Sequence, residues 1–249
     1  MNYKLEGSGK TLVFIHGLSD SLLYWEFLAG KLKNDYQILR IDLRGHGQSE
    51  LGNEEITTDT YVNDLKDLLD ELGISNVNLV GFSLGGTVAL DFTLKYPQMV
   101  DSLVLMCSFH KATDGLKDTL SQFRDALNVG FDEFYDLILP MTLCPDVIEE
   151  NKMEMEILKE MASQNANVEA YIKANDTCFE FNVEENLSEI DIPVLILSSK
   201  FDDIATSDIE EDLHRKIEGS ELIVLDNVKH NLLVGENNGK ILAILKEFF

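Results

Sequence analysis

This chain of 249 residues carries 45 aspartates and glutamates against 20 lysines and arginines, which gives a formal net charge of −25. Such an excess of negative charge argues against nucleic acids, anionic lipids and polyanionic substrates as partners. The length allows one large α/β domain or two smaller domains, and a hydrophobic content of 45% is sufficient for a sizeable core.

The N-terminal segment, residues 1–7, lacks the apolar stretch of a signal peptide, and no run approaches the ~18 apolar residues of a membrane span. The three cysteines, Cys107, Cys144 and Cys178, are widely spaced and form no CxxC pair. We therefore expect a cytoplasmic protein with reduced thiols, no membrane span and no metal site.

Residues 11–107 alternate short apolar runs with stretches of helical periodicity. The predicted strands are residues 11–16, 37–42, 77–80 and 102–107, and the predicted helices are residues 22–33, 57–73 and 86–96. Gly73 ends the second of these helices, because glycine is the usual residue after a helix C-terminus. Short, nearly all-apolar strands separated by helices indicate a parallel sheet that is covered on both faces.

Between residues 109 and 184 the pattern changes to helices without strands. The predicted helices here are residues 115–127, 132–139, 145–164 and 168–181. The sheet pattern then resumes, with strands at 193–197 and 221–225 and helices at 207–217 and from 238. Because the flanks carry complementary halves of one α/β pattern, we interpret the middle as a helical insertion. An independent helical domain is the alternative, although no flexible linker marks its edges.

The sequence Gly81-Phe82-Ser83-Leu84-Gly85 lies between a predicted strand and a predicted helix. A G-x-S-x-G sequence in this position is typical of the nucleophile elbow, a tight turn that presents a serine hydroxyl at the carboxyl edge of a sheet. Larger side chains at positions 81 and 85 would collide with the strand or the helix. We therefore predict Ser83 as a nucleophile.

A serine nucleophile needs a base that takes its proton and an acid that orients the base. In elbow folds the acid and then the histidine follow the serine along the chain. His16 and His46 precede the serine, His110 begins the helical insertion, and His214 lies on a highly charged helix face. His230 follows the last predicted strand and is the predicted base.

The acid is expected directly after the strand at residues 193–197. Asp202 is the predicted acid, and Asp203 is the alternative. Hydrolysis also requires two N–H donors for the oxyanion of the tetrahedral intermediate. We predict the N–H of Leu84, which follows the nucleophile, and the N–H of Leu18, in the loop after the first buried strand.

Taken together, these segments resemble the α/β-hydrolase fold superfamily over nearly the whole chain. The resemblance rests on residues 13–17 (VFIHG), 42–49 (DLRGHGQS) and 81–86 (GFSLGG), on the Asp202 turn and on the His230 loop. In spacing the chain is most similar to small carboxylesterases, 3-oxoadipate enol-lactonases and pimeloyl-carrier methyl esterases. Three positions depart from the family pattern: Ser199, Asp203 and Lys229 stand where the family has Gly, Pro and Gly.

The resemblance implies an α/β fold with an eight-stranded, mostly parallel sheet and helices on both faces. Seven strands are expected if the short N-terminus lacks the family's first strand. The resemblance also implies a core domain of residues 1–108 and 185–249, with a helical cap of residues 109–184 inserted after the sixth strand. In this family the loop at residues 42–49 is mainly architectural, so no chemistry is assigned to His46 or Ser49.

The substrate is expected between the cap and the sheet edge. The predicted pocket residues are apolar: Trp25, Phe109, Phe134, Leu137, Met141 and Leu232, with Leu18, Leu84 and Phe131 as further candidates. An apolar pocket beside an acidic cap favours a neutral acyl ester of small to medium size.

The sequence therefore predicts a serine carboxylesterase that needs no cofactor or metal. Lactones, thioesters and carbon–carbon bonds next to a ketone remain open as substrates, because the fold does not select between them. A non-catalytic ligand-binding protein of the same fold is the alternative from a different class.

Overall fold

A seven-stranded sheet forms the centre of the computed structural model, which describes residues 1–249. Its spatial order is β1-β3-β2-β4-β5-β6-β7, and all neighbouring strands are parallel except β1, which is antiparallel to β3. The predicted mostly parallel sheet is confirmed in its seven-stranded form. The strands are β1 (Tyr3–Gly7), β2 (Thr11–Ile15), β3 (Gln37–Ile41), β4 (Val77–Phe82), β5 (Val100–Met106), β6 (Val194–Ser199) and β7 (Glu221–Leu225).

The edge strand β1 is the one strand that the sequence pattern does not predict. None of its five residues is buried, whereas every residue of β2 and of β4 is buried. An exposed edge strand lacks the continuous apolar run by which the inner strands are recognised. Its pairing with β3 alone identifies it as a strand.

Ten α-helices accompany the sheet, and none of them combines the length and the apolar character that crossing a bilayer would require. Residues Leu22–Trp25 form a 3₁₀ turn ahead of α1, within the helix predicted at residues 22–33. The helices are α1 (Glu26–Leu32), α2 (Thr58–Leu72), α3 (Leu84–Lys95), α4 (Asp114–Val129), α5 (Phe131–Thr142), α6 (Pro145–Glu150), α7 (Lys152–Asn165), α8 (Val168–Glu180), α9 (Ser207–Lys216) and α10 (Asn237–Phe248).

The helix predicted at residues 145–164 is divided in two at Asn151. The Asn151 side chain donates a hydrogen bond from Nδ2 to the carbonyl of Val147 (2.8 Å), at the end of α6. Asparagine side chains compete in this way with the backbone bonds of a helix. Asn151 therefore ends α6 and precedes α7.

Each face of the sheet is covered by its own apolar cluster. Val13 and Ile15 of β2 belong to one cluster, and Leu12 and Phe14 belong to the other. Successive side chains of a strand point to opposite faces, which explains this division. The first cluster continues into α4 through Phe123, so the sheet and the insertion share one apolar core.

Helices α4 to α8 lie between β5 and β6, and the two ends of this insertion are paired. Lys111 and Asn182 form an antiparallel bridge, and Ala112 N–H donates to Phe181 O (3.1 Å). The chain therefore leaves and re-enters the sheet at one place. The assignment of residues 109–184 as a helical cap inserted into the core domain stays a prediction.

Candidate active site

Ser83 occupies the turn between β4 and α3 with a φ of 52°, in the left-handed region that side-chain-bearing residues rarely adopt. Its N–H donates to Met106 O (3.0 Å), and its carbonyl accepts from Gly86 N–H (2.9 Å) and Thr87 N–H (3.2 Å). The Ser108 hydroxyl donates to the same carbonyl (2.9 Å). Such a strained conformation persists only where its surroundings fix it, as these four bonds do.

Two glycines allow the strand and the helix to approach each other at this turn. A Cβ atom on Gly85 would overlap with the carbonyl oxygens of Ile15 and His16 in and after β2. A Cβ atom on Gly81 would overlap with the backbone of Gly85. The G-x-S-x-G pattern is therefore a packing requirement of this turn.

His230 lies in the loop after β7, and its Nδ1 is 2.7 Å from Asp202 Oδ2. Both side chains are buried, with 5% and 0% of their surface exposed. Asp202 Oδ1 accepts hydrogen bonds from the N–H groups of Ile204 (2.8 Å) and Ala205 (3.0 Å). Because Nδ1 faces a carboxylate, it carries the proton of a neutral imidazole, which leaves Nε2 free to accept one.

The neighbouring carboxylate, Asp203, has a different environment. Its side chain is 53% exposed and pairs with Lys229 at 2.6 Å. The geometry therefore makes Asp202 the partner of His230. Lys229 Nζ also donates to Pro140 O in α5 (2.7 Å), so the residue that replaces the family's glycine connects the histidine loop to the insertion.

Ser83 and His230 line the same cavity, and the ring of Phe82 lies 5.0 Å from the imidazole of His230. No hydrogen bond joins Ser83 Oγ to His230 Nε2. In unliganded enzymes such a bond is often long, and it shortens when substrate binds. Ser83, Asp202 and His230 follow β4, β6 and β7 respectively, which brings them to the carboxyl edge of one sheet.

One predicted oxyanion donor, Leu84, directly follows the nucleophile, and the other, Leu18, lines the same cavity as Ser83. Leu18 lines the cavity, and its N–H makes no hydrogen bond within the chain. Leu84 is the first residue of α3, where N–H groups have no partner within the helix. The N-terminus of a helix also carries a partial positive charge. Both N–H groups are therefore suited to an oxygen with developing negative charge.

Asp42, which follows β3, forms hydrogen bonds with several separate segments of the chain. Its Oδ1 accepts Leu22 N–H (2.7 Å), and its Oδ2 accepts Asn2 Nδ2 (2.7 Å) and Gln48 N–H (2.9 Å). Ser49 Oγ donates to the Asp42 carbonyl (2.7 Å). All these bonds join parts of the protein to one another, so the geometry gives the loop at residues 42–49 a structural role.

His16 connects the loop that contains Leu18 to this structural loop. Leu43 N–H donates to His16 Nε2 (3.0 Å), so Nδ1 carries the proton and donates to Gly17 O (2.7 Å). Burial lowers the pKa of His16 to about 4. Burial, and then the charge that His16 would carry, lowers the pKa of His46 to about 3. Both imidazoles are therefore neutral at pH 7.

A cavity of about 1080 Å³ is bounded by the sheet edge and by the helices of the insertion. Of the predicted pocket residues, Phe109, Phe134, Phe131 and Leu18 line it. Its apolar walls are extended by helix α7, where Met155, Leu158, Met161 and Ala162 face it at helical spacing. The periodic apolar stripe of residues 155–162 is visible in the sequence and is the signal that could have identified these residues.

Other predicted pocket residues lie elsewhere, which corrects the sequence-based assignment. Trp25 and Leu232 are fully buried on the opposite face of the sheet, where the Trp25 ring lies 5.0 Å from Phe14. Leu137 and Met141 pack against the larger apolar cluster from α5, outside the cavity wall. Leu84 is also core, so its side chain does not line the cavity, although its N–H remains the predicted donor.

The charged residues of the cavity wall are all acidic. Asp20, Glu150 and Glu154 line it without an ion-pair partner, and no lysine or arginine does. Asp42 also reaches the wall, with its oxygens already engaged. Burial raises the pKa of Asp20 to about 7. The cavity therefore offers no counter-charge to an anionic substrate.

Two groups of side chains have the composition of metal ligands, with ligand atoms within 4.8 Å of one another. Cys107 with Asp202 and His230 belongs to the site already described. The second group, His110, Glu184 and Asp212, lies at the base of the insertion. There Lys111 and Lys216 contact Glu184 at 2.7 and 2.8 Å, so ammonium groups already neutralise its carboxylate. This second group is an ion-pair network.

The sequence profile of the α/β-hydrolase fold family matches residues 10–236, so the chain belongs to this family. An uncharacterized protein of Mycobacterium tuberculosis is 37% identical over 142 residues, which are 57% of this chain. The chain spans only 40% of the length of that relative.

Two solved structures are similar over nearly the whole chain. MGS-M2, an α/β-hydrolase enzyme from a Medee basin deep-sea metagenome library, has a TM-score of 0.93 at 26% identity; the alignment covers 100% of this chain and 93% of that one. The enol-lactonase of Burkholderia xenovorans LB400 has a TM-score of 0.91 at 20% identity and covers 99% and 95%. The second likeness shows the fold alone.

The low pKa values of buried His16 and His46 predict a loss of stability in acid. Their pKa values rise toward 6.5 when the chain unfolds, so protons favour the unfolded chain as the pH falls below 6.5. Between pH 7 and pH 5, each should lower the free energy of unfolding by roughly 2 kcal/mol. Urea unfolding at both pH values measures this loss. Between pH 7 and pH 5, the free energy of unfolding of His46→Gln should fall by roughly 2 kcal/mol less than that of wild type. An equal loss in wild type and variant would contradict the assignment.

Proposed function

We propose that this protein is a serine hydrolase that cleaves carboxylic esters of neutral acyl substrates through an acyl-enzyme on Ser83. The observation that carries the proposal is the 2.7 Å contact of His230 Nδ1 with Asp202 Oδ2, beside the cavity that Ser83 also lines. Membership of the α/β-hydrolase family supports it. The proposed catalytic residues are Ser83, His230 and Asp202, with Leu18 and Leu84 as oxyanion donors.

In the proposed reaction, Ser83 Oγ attacks the ester carbonyl carbon while its proton moves to His230 Nε2. The carbonyl π electrons move to oxygen, and the N–H groups of Leu18 and Leu84 stabilise the negative charge. The imidazolium is stabilised by Asp202, and it protonates the departing alcohol as the carbon–oxygen bond breaks. Water, deprotonated by His230, then attacks the acyl-enzyme and releases the acid.

The cavity wall supports a neutral substrate. Three unpaired carboxylates line it without any cation, so a carboxylate on the substrate would experience repulsion and lose its hydration. Its apolar wall and its volume of about 1080 Å³ suit an ester with an apolar acyl chain.

The adjacent aspartates provide a matched test of the mechanism. We expect Asp202→Asn to lower kcat for p-nitrophenyl esters by at least about 100-fold, because the amide no longer stabilises the imidazolium or fixes the correct tautomer. Asp203→Asn should stay within about 3-fold of wild type, because this carboxylate contacts only Lys229 on the surface. Ser83→Ala gives the background rate. Equal losses in the two asparagine variants, or full activity of Ser83→Ala, would refute the proposed mechanism.

The acidic cavity predicts discrimination by substrate charge. Two substrates are compared: methyl p-nitrophenyl glutarate, which is neutral, and mono-p-nitrophenyl glutarate, which has a free carboxylate. The kcat/KM of wild type should be at least about tenfold higher for the neutral substrate. Asp20 gains its charge above a pKa of about 7, so this ratio should increase from pH 6 to pH 8. In Asp20→Asn the ratio should be smaller and independent of pH over this range. A preference for the free carboxylate would exclude the neutral-substrate assignment.

A further inference from the structure

A buried carboxyl group behind the proposed site has no part in the mechanism above. Glu210, in the first turn of α9, is 0% exposed, whereas its neighbours Asp208 and Glu211 on the same helix are exposed. Glu210 forms no ion pair with any lysine, arginine or histidine. Burying a carboxyl group without a counter-charge is costly, so its position requires a reason.

Two hydrogen bonds connect this carboxyl group to the nucleophile. Glu210 Oε1 accepts Ser108 N–H at 3.2 Å. The hydroxyl of Ser108 in turn donates to the carbonyl of Ser83 at 2.9 Å. Ser108 is itself 1% exposed, and a Cβ atom on Gly86 would overlap with its side chain. Ser108 therefore has little freedom to move without moving the start of α3.

The backbone around Ser108 is strained in the same way as the elbow. Cys107, directly before it, has a φ of 45°, and Ser83 on the adjacent strand end has a φ of 52°. Cys107 N–H donates to Leu197 O (3.0 Å) in β6. Ser108 N–H, by contrast, has the Glu210 side chain as its acceptor. A side chain on α9 thus supplies the bond that the sheet does not supply at this strand end.

We infer that Glu210 is a positioning residue, which acts through Ser108 to hold the carbonyl of Ser83 and so keeps the Ser83 hydroxyl in its reactive orientation. The inference rests on the proposed role of Ser83 as nucleophile. Glu210 touches neither substrate nor reacting atoms. Its effect is expected in the turnover of bound substrate, because a misoriented nucleophile slows the chemical step more than it weakens binding.

The protonation of Glu210 determines which substitution preserves its contact. Burial, followed by the negative charge of Asp202, raises the pKa of Glu210 well above its ordinary value. These surroundings favour the uncharged form of the Glu210 carboxyl group. A glutamine has the same length, carries no charge and keeps a carbonyl oxygen for Ser108 N–H. A methionine has the same length and no such acceptor.

The test measures kcat and KM separately for p-nitrophenyl butyrate. We expect Glu210→Met to lower kcat by about 10- to 100-fold with KM within about 3-fold, and Glu210→Gln to retain kcat within about 3-fold. Ser108→Ala should lower kcat to a similar degree. The double variant Glu210→Met/Ser108→Ala should be no slower than its slower parent, because both changes break one connection. Glu211→Met, at an exposed position of the same helix, is the control for changes to α9.

Near-ultraviolet circular dichroism checks that each variant is folded, and the labelling rate of Ser83 by a fluorophosphonate reports its reactivity directly. A folded Glu210→Met with kcat within about 3-fold of wild type would overturn the inference, as would a Glu210→Gln as slow as Glu210→Met. Should Glu210→Met fail to fold, an unchanged kcat in Ser108→Ala would overturn it as well. Wild type whose Ser83 is not labelled would instead refute the proposed function, and the inference with it.

Discussion

The backbone of Ser83 is the constraint on which the site depends. Its φ of 52° and ψ of −118° place a residue with a side chain in a sparsely populated backbone conformation, which costs on the order of 1–3 kcal/mol. Gly81 and Gly85 are needed because the elbow packs directly against β2 and α3. The Ser83 N–H donates to Met106 O, and the Ser83 carbonyl accepts from Gly86 N–H and the Ser108 hydroxyl, so the peptide groups on either side of Ser83 are fixed. The turn thereby determines where the other residues of the site must lie.

The ionisable groups around this turn differ in their charge. His230 and Asp202 form one hydrogen-bonded pair in a buried setting, and His16 and His46 are kept neutral by burial. Burial, followed by the negative charge of Asp202, raises the pKa of Glu210 and so favours its uncharged form. The charged residues of the cavity wall are all acidic. An imidazolium can therefore form beside Asp202, whereas an anionic substrate gains nothing from the wall.

The sequence predicts those features that depend on local pattern or on order along the chain. The elbow is recognisable because Gly81, Ser83 and Gly85 are close in sequence, and the inner strands because they are almost wholly apolar. The edge strand β1 is not predicted, because its residues are exposed and only its pairing with β3 identifies it as a strand. The division of the predicted helix into α6 and α7 at Asn151 could not be predicted either, because this division depends on one side-chain hydrogen bond.

The pocket is the least predictable part for a geometric reason. Trp25 and Leu232 are apolar and follow strands, as pocket residues would, yet they lie on the other face of the sheet. Periodicity shows that a residue is buried, but it does not show which of two apolar faces it joins. The contacts of Glu210 and Ser108 could not be predicted for a related reason. In the sequence, a buried acid on a charged helix cannot be distinguished from a solvent-exposed one, and only the structure shows its contacts.

In the proposed mechanism the Ser83 hydroxyl forms the covalent intermediate at the edge of the sheet where His230 and Asp202 meet. Mass spectrometry of the protein mixed with p-nitrophenyl butyrate and quenched in acid within milliseconds tests it most directly. We expect a single butyryl adduct on the peptide that contains Ser83, which forms as one equivalent of p-nitrophenol is released. Turnover with the adduct on another residue, or release of p-nitrophenol by a Ser83→Ala variant at the wild-type rate, would contradict it.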